Sequence, residues 1–179
     1  LGAVAWAVYA VLGLRNLGNL RAGEGRIAPW AQLVWWLVWP LAVSLLASYL
    51  AGRFGLAQGW RYAAVWLPWL AALALLLKRP QWVAMPLGER FDVARPALTL
   101  VYLLVAALAF VIGLSLPGSA APLPWLPLVN PLELMQLLAM ALVGLWLAAS
   151  GFGHALGQRR GVLVGLVALV WITTVTLRS

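Results

Sequence analysis

Few side chains in this chain can do chemistry. Its 179 residues hold four carboxylates (Glu24, Glu89, Asp92 and Glu133), one histidine (His154) and no cysteine. Without cysteine there is no disulfide, no thiolate ligand and no thiolate nucleophile. One histidine with scattered carboxylates lacks the spacing that a metal site needs, so no metal is expected. No cofactor is expected either. A hydrolytic triad needs a nucleophile placed by a histidine and an acid. The nearest hydroxyl to His154 is Ser150, one helical turn earlier and without the nucleophile-elbow motif. His154 therefore reads as a solvated turn residue. Gly151-Phe152-Gly153-His154 has neither the lysine nor the strand context of a phosphate loop. No catalytic residue is assigned, and the inventory weighs against an enzyme.

One polar cluster stands out, Asn130-Pro131-Leu132-Glu133. It has a structural reading. Asn suits a helix N-cap, Pro the first helical position and Glu the third, a start resembling a capping box. The carboxylate also favours the positive end of the helix dipole. It has a functional reading too. Glu133 and Asn130, with Arg53 and Arg61 from the same predicted face, form a candidate site for an anionic head group, or Glu133 acts as a general base. Both readings stand on the sequence alone.

The elements that must position these residues are apolar runs. Hydrophobic residues make up 65% of the chain and charged ones 9%, against about 25% charged in a soluble domain. The runs are Trp30–Leu50, Tyr62–Leu77, Pro96–Leu116, Pro131–Ser150 and Gly161–Leu177, preceded by Leu1–Leu14. About 20 apolar residues span a bilayer as a helix. Leu1–Leu14 is too short for that and is expected to be the tail of a helix belonging to a longer parent protein. Barrel strands alternate apolar and polar residues, and Leu98 to Leu114 shows no alternation. The expected fold is all-α: a polytopic transmembrane helical bundle of about six segments, the first truncated, in one domain over residues 1–179.

Orientation follows from the basic residues. A net charge of +8 would point to nucleic acid in a soluble protein. Here the basic groups flank apolar runs, which is a topology signal, and no nucleic acid partner is expected. Arg15, Arg21, Arg26, Lys78, Arg79, Arg90, Arg95, Arg159 and Arg160 fall on one side, nine against three (Arg53, Arg61 and Arg178). The side with nine is expected to be cytoplasmic. The uncharged Pro-rich loop Pro117–Val129 then faces outward. Glu89-Arg90-Phe91-Asp92 reads as a short amphipathic surface helix with an internal ion pair.

The chain has twelve tryptophans. Trp30, Trp60, Trp82 and Trp125 fall near predicted interfaces, where an amphipathic ring is favoured. Trp35, Trp36, Trp39, Trp66 and Trp69 lie deeper. They read either as packing and lipid contact or as an aromatic groove between the second and third runs for a lipid or isoprenoid chain. Pro40 and Pro68 are expected to kink those two runs. Gly161 and Gly165, with Gly153 and Gly157 in step before them, form a small-residue face that lets another helix approach.

The segment Pro124-Trp125-Leu126-Pro127-Leu128-Val129-Asn130-Pro131-Leu132-Glu133 resembles a recurrent stretch in a large bacterial family of multi-spanning proteins. That family is known only as predicted membrane proteins, unknown-function family twenty-three thirty-nine. Leu126 through Glu133 carry the likeness; elsewhere it is compositional. The resemblance implies a bacterial inner-membrane (plasma membrane), multi-pass protein with more helices than these. It implies no activity. The expected function is an integral membrane module, a transporter-like or scaffold part of a larger cell-envelope protein. The alternative is an enzyme or binding site for a lipid-linked envelope substrate at the outer face. Expected partners are membrane lipids and the other helices of a longer parent chain or of a homo-oligomer.

Overall fold

The computed structural model describes residues 25–121, 130–157 and 159–178, with residues 8, 11–13, 15, 16 and 19 before them. The run Leu1–Leu14, most of the Pro-rich loop and Trp125 lie largely or wholly outside these residues. The described elements are helices: α1 (Ala28–Arg53), α2 (Gln58–Lys78), α3 (Pro80–Ala84), a 3-10 helix (Gly88–Val93), α4 (Arg95–Leu114), α5 (Pro131–Ala149), α6 (Gly151–Leu156) and α7 (Arg159–Arg178). The fold is an all-α bundle. Helices α1, α2, α4 and α5 are long and apolar enough to cross a membrane, and α7 carries a shorter apolar stretch, Gly161–Leu177. The chain is a multi-pass helical membrane protein.

The boundaries follow from the sequence. Proline sits in the first turn of α1, α3, α4 and α5, where its missing N–H would have had no helical partner. Gly55, with φ of 61°, turns the chain between α1 and α2. Gly157, with φ of 52°, breaks the helix between α6 and α7. Gly153 and Gly157 therefore do not continue the face of Gly161 and Gly165.

Helix α2 is central and packs on α1, α4 and α5. Helix α4 divides its faces by residue size as well as polarity. On α4, Leu98, Tyr102, Ala106, Ala109 and Gly113 face inward. Leu100, Leu104, Leu108 and Val111 point out. Lipid tails are as apolar as leucine, so burying leucine between helices gains little. Close packing over alanine and glycine, and hydrogen bonds between helices, must hold the bundle instead.

Those hydrogen bonds include the carbonyls disturbed by proline. Pro40 leaves the carbonyl of Trp36, four residues earlier, without its helical N–H. The hydroxyl of Tyr102 on α4 donates to that oxygen at 2.7 Å. Pro68 does the same to Ala64, and the Ser44 hydroxyl on α1 donates to the next carbonyl, Val65, at 2.6 Å. Both prolines thus lie beside a donor from a neighbouring helix, as membrane helices require.

The connection from α2 to α4 carries the short amphipathic helix read from the sequence, with Glu89, Arg90 and Asp92 exposed. Glu89–Asp92 lies in a 3-10 helix, and Phe91 is fully buried. Val83, Leu87, Phe91 and Ala94 close the end of the bundle beneath α1 and α2. Gln32 of α1 donates to the carbonyls of Val83 at 2.6 Å and Met85 at 3.0 Å, and Trp36 to Val83 at 2.9 Å. Asp92 pairs outside the tetrapeptide, with Arg95 on the first turn of α4.

Candidate functional site at one end of the bundle

The four sequence-selected residues share one end of the bundle, the end that the charge count assigns to the outside. Arg53 closes α1, Arg61 ends the first turn of α2, and Asn130 and Glu133 open α5. Asn130 is the N-cap of α5. Its backbone is extended, and its Oδ1 accepts from the Leu132 N–H at 3.0 Å. Its Nδ2 donates to the carbonyl of Gly118. That carbonyl belongs to the chain just past α4, which is also clipped to α2. The Gly59 N–H donates to Ser119 at 3.0 Å, and the Trp60 indole to Ala120 at 3.1 Å. A Cβ on Gly59 would lie 2.7 Å from the Ser119 carbonyl and 3.0 Å from Asn130 Oδ1. Only glycine permits this approach.

Glu133 follows on the same face of α5, three residues on, and Gln136 three further. Both side chains have 0% exposure. Glu133 is the one charged side chain that is fully buried among the described residues. Its place in the first turn of α5 sets the carboxylate at the positive end of the helix dipole. Gln136 was not selected from the sequence, although its spacing from Asn130 and Glu133 marks the same face. Its Nε2 donates to Phe110 of α4 at 3.4 Å, and its Oε1 accepts from the Trp171 indole of α7 at 3.1 Å. The Tyr62 hydroxyl of α2 donates to Ala109 of α4. A Cβ on Gly113 would lie 2.8 Å from both Gln136 Nε2 and the Tyr62 hydroxyl. A glycine thus makes room for the meeting of two buried polar side chains from α2 and α5.

The arginines are set apart from this buried column, because both are exposed. Arg53 suits the last turn of α1, where a cation meets the negative end of the dipole. Arg61 lines an open groove of about 570 Å³ together with Leu56, Gln58, Tyr62, Val65, Trp66, Ile112 and Leu116. Its Nε donates to the Leu56 carbonyl at 2.9 Å. The groove runs between α2 and α4. Of the deeper tryptophans, Trp66 lines this groove. Trp35 and Trp39 stack edge to face at 5.4 Å, and Trp69 does so on Tyr102 at 6.2 Å.

His154 is exposed on α6. Gly161 and Gly165 meet nothing within 4 Å, and α7 touches the bundle through Trp171 and Val175. Comparison with protein-family models, with curated proteins and with solved structures returned no match.

Proposed function

We propose that this chain is a scaffold module of a larger multi-spanning protein of the bacterial inner membrane, and that its polar groups hold helices together. One observation carries the reading. Apart from Glu133, the buried polar side chains donate to backbone carbonyls of other elements. Ser44 of α1 donates to α2, Tyr62 of α2 to α4, and Tyr102 of α4 back to α1. The three bonds form a closed circuit. Gln136 adds α5 to it and Asn130 adds the chain beyond α4. A carrier for ions or polar solutes places ionisable groups along a path and lets helices move past one another. Bonds that close on themselves oppose such movement. The likeness of Leu126–Glu133 to the multi-spanning bacterial family supports a larger parent protein.

A covalent lock tests the proposal. An ideal Cβ at Gly113 lies 3.1 Å from Gln136 Cγ, within reach of disulfide geometry. The chain has no cysteine to interfere. Gly113→Cys with Gln136→Cys, oxidised in the membrane, should leave the parent protein's envelope phenotype intact. Loss of that phenotype on oxidation, with recovery on reduction, would show that α4 and α5 must move and would sink the scaffold reading.

A further inference from the structure

We propose that the groove between α2 and α4 is a binding site for an anionic phospholipid of the outer leaflet. The groove is graded along its length. Gln58 and Arg61 lie at the membrane-surface end of α2, and Val65 and Trp66 lie one to two turns deeper. At about 1.5 Å per residue, the apolar floor begins about 6 Å below the arginine. The opposite wall has Leu116 at the surface and Ile112 below it. A lipid presents the same order, a polar head over an acyl chain.

The charge of Arg61 identifies the head. Two general rules disfavour an arginine here. It opposes the inside bias of basic residues, and it sits at the positive end of α2, whose first turn has no acidic residue. Arg61 forms no ion pair with a carboxylate among the described residues. Its Nε bond to Leu56 orients the guanidinium at the groove. A phosphate oxygen answers both costs, since a guanidinium recognises phosphate through two parallel N–H donors. Gln58 adds an amide donor beside it. The acyl chain then lies on Val65, Trp66 and Ile112. Arg53 bears the same charge at the same end of the bundle but does not line the groove, so it serves as the control.

The test uses Trp66 as reporter. The full chain in detergent micelles is titrated with phosphatidylglycerol brominated on its acyl chain, and separately with brominated phosphatidylcholine. Trp66→Phe isolates the signal of that ring. The proposal expects Trp66 to be quenched by the anionic lipid at about tenfold lower concentration, the size of one hydrogen bond to a charged group. Arg61→Gln should remove that preference, and Arg53→Gln should retain it. Ile112→Phe, which narrows the groove and leaves the charge alone, should weaken quenching by both lipids. Equal quenching by the two lipids in the parent chain would overturn the proposal. So would an equal effect of Arg53→Gln and Arg61→Gln, which would mean diffuse surface charge rather than a site. None of these outcomes bears on the cysteine lock, so the scaffold reading stands or falls separately.

Discussion

Replacing Tyr102 with Phe removes one oxygen atom and little else. The ring is 1% exposed and keeps its edge-to-face contact with Trp69 at 6.2 Å. What is lost is the donor to the Trp36 carbonyl at 2.7 Å. That carbonyl has no helical N–H to return to, because Pro40 occupies the position that would supply it. A buried acceptor left without a donor costs about 1–3 kcal/mol, whereas hydrogen bonds between membrane helices average about 0.6 kcal/mol and reach about 1.7. The proline places this bond at the upper end, so Tyr102→Phe should destabilise the bundle by about 1.5 kcal/mol. The assay is unfolding of the detergent-solubilised chain by increasing SDS, followed by helical circular dichroism. The decisive comparison is a double-mutant cycle. Pro40→Ala restores an N–H four residues after Trp36, so Tyr102→Phe should become nearly neutral in that background, with a coupling of about 1 kcal/mol. An equal loss from Tyr102→Phe in both backgrounds would refute the argument. The hydroxyl would then be acting on something other than the carbonyl that the proline exposes.

Two glycines on different helices should respond in opposite ways. Gly113→Ala drives a methyl group to within 2.8 Å of Gln136 Nε2 and the Tyr62 hydroxyl and should cost about 1–3 kcal/mol. Gly161→Ala enters open space and should be neutral or mildly stabilising in the same SDS titration, by up to about 1 kcal/mol from helix propensity; a loss at Gly161 would show that its face is covered. Cysteines placed singly at Ser119 and Arg159 should be labelled by an impermeant thiol reagent from opposite sides of the membrane, because α5 crosses once between them. Labelling from the same side would overturn the orientation of that end of the bundle.

The spans were legible because their determinant is local. Pro131–Ser150 as read from apolar length and Pro131–Ala149 as folded differ by one residue. The same holds for the cap, since Asn130, Pro131 and Glu133 act within one turn. What could not be read was pairing at a distance. Pro40 is visible in the sequence, but the hydroxyl that serves its carbonyl lies 66 residues away. Gln32 could equally have faced lipid or solvent until the connection carrying Val83 folded beneath it. The connection was read only in part, its exposed charged face but not the full extent of its buried one. Charges at Glu89, Arg90 and Asp92 argued for a surface helix, while Val83, Leu87, Phe91 and Ala94 recur at spacings of three and four, the mark of a buried face. Nor does anything local say which face of α2 meets α1 and which meets α4.

The circuit of bonds among α1, α2 and α4 has an asymmetry that bears on which substitutions this protein can absorb. Every acceptor in it is a main-chain oxygen, at Val65, Ala109 and Trp36, and every donor is a side chain, at Ser44, Tyr62 and Tyr102. A carbonyl is supplied by any amino acid, whereas only a hydroxyl of the right reach supplies the donor. At the acceptor positions the side chain is free to change with its lipid or packing environment without touching the bond. At the donor positions even a near-isosteric change such as Tyr to Phe deletes it. The helices are thus joined through a recognition code written on one side alone: exchange at the three donor positions removes these bonds, whereas exchange at the three acceptor positions is limited by packing, as at buried Ala109, or by other bonds, as at Trp36.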